Sequence, residues 1–139
     1  MKTKRVQSVI LSIICIVALC VPVHAAETRA SDQIAVYKMK VNPISGAMAV
    51  YFSVTGPGDV DKLGCESILV YKMVDMDWVL TEIKLENYPG MSNTNIYHHA
   101  NSILCDSERG EAYKIVVTIF SENSKGRDTR SQTFYEVGQ

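Results

Sequence analysis

The sequence predicts an all-β protein, a sandwich of seven strands that follows an N-terminal signal-peptide helix. Apolar residues recur with a period of two rather than 3.6 along most of the chain. Turn-forming residues interrupt this pattern about every eight to twelve residues, a spacing typical of β-sandwiches. No convincing helical pattern, internal repeat or low-complexity segment follows residue 25, so we predict a single domain over residues 33–139.

Four extended segments lie in the first part of this domain, separated by turns rich in Gly, Pro and Asp. They are Gln33–Val41, Ala47–Thr55, Ser67–Met73 and Trp78–Leu85. We expect Gly56-Pro57-Gly58-Asp59 to form a turn between the second and third segments. In the fourth, simple alternation places Val79, Ile83 and Leu85 on one face and Trp78 with Glu82 and Lys84 on the other, which predicts a partly solvated face around Trp78.

Three further segments complete the predicted sandwich. Glu86–Asn93 is a long loop before Thr94–Asn101, whose alternation is poor. Glu111–Phe120 has the strongest strand pattern in the chain, and Thr129–Val137 follows a polar loop.

The first 25 residues have the layout of a secretory signal peptide. Three basic residues come first, namely Lys2, Lys4 and Arg5, and Val6–Val23 carries no charge. Pro22 ends the apolar segment, and Val23-His24-Ala25 provides small residues for cleavage after Ala25. The alternatives are an uncleaved anchor, because 18 uncharged residues nearly span a bilayer, and a lipoprotein attached through Cys20.

Removal of this segment makes the chain acidic. It takes 25 of the 139 residues, three of the 14 basic residues and none of the 15 acidic ones, so 114 residues with a net charge of −4 remain. Residues 26–32 form a short polar lead. A negative chain of this length disfavours a nucleic-acid binder, which needs a basic face, and excludes a multidomain protein.

Two cysteines remain after cleavage, Cys65 and Cys105. Two cysteines in an exported domain predict one disulfide. The bridge would close a loop of roughly 40 residues and stabilise the fold by about 4 kcal/mol on a loop-entropy basis. A metal or nucleophile role is the alternative, but neither a CxxC spacing nor a neighbouring histidine motif supports it.

The segment Gly110–Ile119 is similar to the sixth strand of fibronectin type III domains, with a turn glycine, a tyrosine and then alternating aliphatic residues. The resemblance implies an immunoglobulin/fibronectin-like sandwich. In it, Tyr113 would be the corner tyrosine with a buried ring and a hydroxyl bonded to upstream backbone, and Ile115, Val117 and Ile119 would point into the core. Those domains usually carry a tryptophan in the second strand, where this chain has Phe52 instead.

The chain after Ala25 also resembles a group of small exported proteins from Gram-positive anaerobes. The resemblance lies in Ser53–Gly56 with Asp61–Gly64, and in a later stretch of Met91, Asn95, Tyr97 and His98. That group has no assigned activity, so it implies an exported protein and nothing about its chemistry.

Metal and catalytic chemistry find little support. His98 and His99 are adjacent, so on a strand they point to opposite faces and do not chelate one metal together. Two Asp-x-Asp pairs, at Asp59/Asp61 and Asp75/Asp77, lack the rest of a calcium-loop pattern. No nucleophile elbow or phosphate loop is present, so we predict no enzyme, no catalytic residue, no metal and no cofactor.

The aromatic residues indicate a binding role. Trp78, Tyr88 and Tyr97 could form an exposed patch for an unknown protein or carbohydrate ligand at or near the cell surface, because such rings offer a large contact area at low entropic cost. In the other interpretation, these rings only cover the sheet margins. The predicted function is therefore a secreted binding module that contacts the membrane only through its signal peptide. The alternatives are a small secreted hydrolase or metal-dependent factor, and a self-associating surface module.

Overall fold

The protein is described here by a computed structural model of residues 33–139, which form one curled antiparallel sheet of six strands. The strands are β1 (Val36–Ile44), β2 (Ala47–Val74), β3 (Asp77–Leu85), β4 (Ser92–Asp106), β5 (Ala112–Asn123) and β6 (Gly126–Val137). The all-β prediction is confirmed for this part of the chain. Residues 33–139 contain no candidate for a membrane-spanning helix. The predicted signal peptide and polar lead lie outside the described residues.

Strand β2 is 28 residues long and continues through the segment predicted to be a turn at Gly56–Asp59, where its register with β4 shifts between Thr55 and Val60. The second and third predicted strands are therefore one strand, and the described sheet has six strands rather than seven. On one side of β2, pairing with β1 ends at Thr55 and pairing with β5 begins at Lys62. Because β2 changes neighbours here, Pro57 sits where its missing N–H costs no hydrogen bond of the sheet.

The long strand organises the whole sheet. Its first half lies between β1 and β4, and its second half lies between β3 and β5, which in turn pairs with β6. The sheet curls so that β1 also contacts β6.

The concave side of the curled sheet holds the core. Alternate residues of β2, including Met48, Val50, Phe52 and Val54, are fully buried, as the period-two pattern predicts. The β5 residues Ile115, Val117 and Ile119 are also fully buried in this core, in agreement with the sequence analysis.

A β-bulge at Thr81 interrupts the alternation of β3. Val70 pairs with Glu82, whereas the next residue, Tyr71, pairs with Leu80, so Thr81 is the extra residue. The Thr81 hydroxyl donates a hydrogen bond to the Val70 carbonyl, with an O···O distance of 3.2 Å. An extra residue of this kind exchanges the faces of the sheet for every side chain beyond it.

The predicted faces of β3 are wrong because of this bulge. Glu82 and Lys84 pair with the core residues Val70 and Ile68, and they therefore point to the concave side. Trp78, which pairs with Met73 before the bulge, lies on the convex side, away from both charged residues.

Candidate binding surface

The convex side of strands β3, β2, β5 and β6 presents an ordered set of side chains, which we call the outer face. Residues paired across neighbouring strands share a face, so the register defines rows across this surface. The three rows are Leu80–Tyr71–Lys114–Tyr135, Ile83–Leu69–Val116–Thr133 and Leu85–Ser67–Thr118–Ser131, with Trp78 and Met73 beside the first. Along the strands, the outer face changes from aromatic to aliphatic to mostly hydroxyl-bearing.

Aliphatic side chains of β3 are unusually exposed on the outer face. Leu80 is 42% exposed, Ile83 51% and Leu85 52%. Scattered exposed apolar residues are normal, but a contiguous group beside aromatic rings marks an interaction surface. In the second row, they continue into Leu69 and Val116, which are half-buried.

A cluster of aromatic rings surrounds Lys114 in the first row. The Lys114 ammonium lies 4.3 Å from the centroid of the Tyr71 ring and 5.6 Å from that of Trp78. The Trp78 and Tyr135 rings pack in a tilted arrangement with their centroids 5.8 Å apart. Cation–π attraction of this kind contributes on the order of 1 kcal/mol at a partly exposed site.

Lys114 differs from the other half-buried lysines of the described chain. Three of these lysines form ion pairs, with N···O distances of 3.2 Å for Lys62–Glu86, 2.9 Å for Lys72–Glu108 and 2.7 Å for Lys84–Glu82. Around Lys114, in contrast, no carboxylate of residues 33–139 lies within ion-pair distance. The aromatic cluster thus holds the ammonium of a half-buried lysine without a counter-ion from the described part of the chain.

Two charged side chains occupy the opposite, concave side of β3. Glu82 accepts a hydrogen bond from the backbone N–H of Asp106 at 2.9 Å and pairs with Lys84. Burial lowers the pKa of Lys84, but the hydrogen bond and charge of Glu82 outweigh it, so the pKa lies above its ordinary value. Lys84 therefore stays charged, and inward-pointing charges of this kind protect an edge strand from pairing with another chain.

The three aromatic residues predicted to form one patch lie in different segments of the chain, and each ring has its own contacts. Trp78 is near the start of β3, in the cluster around Lys114. Tyr88 follows the end of that strand, where the Lys84 ammonium lies 4.2 Å from its ring centroid. Tyr97 is on β4, with its ring centroid 6.4 Å from that of His98. Only Trp78 belongs to the outer face.

The two cysteines are buried free thiols, so the predicted Cys65–Cys105 disulfide is not present in the structure. Burial raises the pKa of each thiol to about 12. The Cys65 thiol also donates weak hydrogen bonds to the carbonyls of Thr118 and Ser67. The side chains lie in the apolar core, and neither is placed or charged to act as a nucleophile.

His98 and His99 each form a hydrogen bond with a neighbouring group. His98 Nδ1 and Thr55 Oγ1 are hydrogen-bonded at 2.9 Å, and His99 Nε2 donates to the Gly90 carbonyl at 2.9 Å. Within residues 33–139, no group of three or more His, Cys, Asp or Glu side chains is arranged to hold a metal ion. Asp75 lies in the β2–β3 turn, where Asp75 and Met76 adopt positive φ angles of 49° and 70°, and Asp77 is the first residue of β3.

A polar cavity of about 260 Å³ opens beside the β4–β5 connection. Its lining consists of Lys72, Thr81, Glu82, Asp106, Ser107, Glu108 and Tyr113. Lys72 is paired with Glu108 and lies 3.8 Å from Glu111, which neutralises its charge. Neither histidine lines this cavity, so it lacks the His–carboxylate arrangement expected of the alternative hydrolase.

Tyr113 connects this cavity to the core. Its ring is 3% exposed, and its hydroxyl accepts a hydrogen bond from the backbone N–H of Glu108, five residues upstream, at 2.8 Å. Tyr113 thereby ties the β4–β5 connection to the start of β5.

Sequence reasoning missed three members of the aromatic cluster: Tyr71, Lys114 and Tyr135. Hairpin register could have found part of it, because counting outward from the β5–β6 turn pairs Lys114 with Tyr135. Counting from the β2–β3 turn likewise brings Tyr71 close to Trp78. The pairing of β2 with β5, which joins the two hairpins into one face, has no local signal in the sequence.

Comparison of the chain with known protein families, with curated proteins and with solved structures found no match.

Proposed function

We propose that this protein is an exported interaction module that binds its partner through the outer face. The observation that carries the proposal is the orientation of β3, which turns Leu80, Ile83 and Leu85 outward next to Trp78 and the other rings around Lys114. If this side of β3 were buried, the same residues would simply be part of a core. Here they form a broad surface of the kind that protein interfaces use as their apolar centre.

The partner contacts the face of the sheet rather than the edge of β3. Glu82 and Lys84 point to the concave side and bond to each other, and an added strand would have to pair alongside these charges. The outer face carries no such obstacle. This favours docking on the face over the self-association through strand edges considered from the sequence.

Export is supported by the layout of Met1–Ala25 and by the resemblance to exported proteins of Gram-positive anaerobes. We further propose that the curled sheet is a variant of an immunoglobulin-like sandwich, in which the two halves of β2 contribute to opposite walls of the core. The shared core of residues from both halves supports this proposal. The module would act outside the cell or at its surface.

A charge placed on the outer face tests the proposal. Ile83→Glu should lower the amount of partner retained from the envelope of the producing organism by about tenfold or more, because a carboxylate in the apolar centre of an interface must be desolvated. Val36→Glu is the matched control, since Val36 is an exposed aliphatic residue, 65% exposed, on β1. Equal retention by the two variants would rule out the outer face as the binding surface.

A further inference from the structure

We propose that the partner of the outer face is a protein whose apolar contact surface carries a carboxylate that pairs with Lys114. This inference rests on the proposed function and adds the chemistry of the partner to it.

The position of Lys114 requires an anion once the outer face is covered. Taking an ammonium group out of water without a counter-charge is strongly unfavourable and opposes the gain from the apolar contacts of an interface. Tyr71 and Trp78 provide ring faces for the ammonium, and these offset only part of that cost. A partner that buries Lys114 must therefore bring the missing negative charge.

The other half-buried lysines of the described chain are all paired with carboxylates. Lys62, Lys72 and Lys84 each have a carboxylate within 3.2 Å among the described residues. Lys114 is also half-buried, but its ammonium lies beside the Tyr71 and Trp78 rings, and no carboxylate of residues 33–139 pairs with it. The simplest completion of the pattern is a carboxylate supplied from outside the chain.

The second row of the outer face favours a protein over a carbohydrate. Sugars stack on aromatic rings, but their hydroxyl groups need hydrogen-bond partners at the contact. Next to the aromatic cluster, Ile83, Leu69 and Val116 provide none, and Thr133 carries the one hydroxyl of this row. A partner segment in which apolar side chains flank one acidic residue matches both the aromatic first row and the aliphatic second row.

A second copy of this chain does not fit the same requirement. In a two-fold symmetric dimer, the same patch faces itself. No Asp or Glu occurs in the three rows or at Trp78 and Met73, so the face offers no carboxylate to the Lys114 of another copy.

Random dodecapeptides displayed on phage, selected on the purified protein, provide a defined probe. We expect the enriched peptides to carry Asp or Glu among aliphatic or aromatic residues. In a fluorescence anisotropy titration, a synthetic copy of one such peptide should bind Lys114→Gln about tenfold or more weakly than the unmodified protein, and Lys114→Arg nearly as well as it. Lys38→Gln, which removes an exposed lysine on β1, is the control and should bind normally.

The two proposals fail in different ways. Peptides that lose binding with Ile83→Glu but keep it with Lys114→Gln, or that lack acidic residues, would overturn the carboxylate inference while the outer face stands. Peptides indifferent to Ile83→Glu, or no enrichment at all, would overturn both. A dimer in light scattering that Ile83→Glu dissociates would identify a second copy as the occupant and overturn the inference. Far-UV circular dichroism of each variant shows whether it is folded, and the comparison of Lys114→Arg with Lys114→Gln separates charge from packing.

Discussion

Tyr113 and Lys114 are neighbours on β5 and serve opposite sides of the sheet. Tyr113 points to the concave side and binds the backbone N–H of Glu108. Lys114 points to the convex side and lies between the Tyr71 and Tyr135 positions of the adjacent strands. The strict alternation of a β-strand therefore separates a residue that stabilises the fold from one that we assign to binding.

Replacing Tyr113 by Phe should destabilise the protein by about 1 kcal/mol, because it leaves the partly buried N–H of Glu108 without its acceptor. Urea unfolding measures this difference. Tyr135→Phe is the control, since Tyr135 is 66% exposed on the outer face and should change stability little. Equal stability of the two variants would show that the Tyr113 hydroxyl contributes nothing.

The two thiols should react slowly in the folded protein. Their pKa values of about 12 leave almost no thiolate at pH 8, and both side chains are buried in the core. With the reduced protein at pH 8, we expect iodoacetamide to label neither Cys65 nor Cys105 over the time in which it labels both in denaturant, as measured by intact mass. Protein secreted by the producing organism that stays unlabelled in denaturant would contain the disulfide that this structure lacks.

At the level of elements, the β5–β6 hairpin holds the loop that follows β3. Arg127 forms ion pairs with Glu86 at 2.6 Å, with Glu66 at 2.9 Å and with Glu122 at 2.7 Å. Its guanidinium also lies 4.0 Å from the ring centroid of Phe120, which is fully buried beneath it. A single arginine thus joins three parts of the chain that are distant in sequence.

This cluster should make stability depend on acidity. The pKa of Glu86 is lowered, chiefly by its hydrogen bond from Arg127 and further by the one from Lys62. A lowered carboxyl pKa stabilises the fold fully above the ordinary value, about 4.3, and this contribution is lost as the pH falls further through the lowered pKa. The effect should be about 1 kcal/mol or less, because the side chains are about a third exposed.

Glu86→Gln should therefore lower the free energy of unfolding at pH 7 and weaken its fall below pH 4.5 or so. Urea unfolding over a series of pH values provides the measurement. Glu136→Gln is the control, since no ion pair of Glu136 occurs among residues 33–139. Parallel pH profiles of the protein and Glu86→Gln would contradict the assignment.

The β3 strand shows how far elements can be predicted from the sequence. The alternation of Trp78–Leu85 predicts that this strand exists and gives its ends to within one residue, since β3 is Asp77–Leu85 in the structure. Its faces do not follow, because the bulge at Thr81 depends on pairing with β2. The same one-residue shift moves Trp78 from the predicted polar face to the outer face.

At the level of the whole molecule, β2 connects both halves of the sheet. It pairs with β1 and β4 in its first half and with β3 and β5 in its second half, and residues of both halves meet in one core. We therefore expect the domain to unfold as one cooperative unit.

Phe52→Ala tests this cooperativity, because Phe52 is fully buried in the first half of β2. It should destabilise the protein by about 3–5 kcal/mol. Trp78, the one tryptophan of the chain, reports on the second half through its fluorescence. The fluorescence and circular dichroism transitions should move together; a fluorescence transition that stays in place would show that the two halves unfold separately.

The all-β class, most strand positions and the residues of the core follow from the local sequence, because alternation and turn chemistry are local properties. The predicted solvated face around Trp78 depended on Glu82 and Lys84, which the bulge at Thr81 places on the opposite side of the sheet, and the same prediction grouped Trp78 with Tyr88 and Tyr97. Three features became apparent only in the folded sheet: β2 continues through Gly56–Asp59, Cys65 and Cys105 are free thiols, and Lys114 lies beside the Tyr71 and Trp78 rings with no carboxylate of residues 33–139 within ion-pair distance. These features depend on which distant strands pair and in which register, and a difference of one residue in that register reverses the face that every side chain occupies.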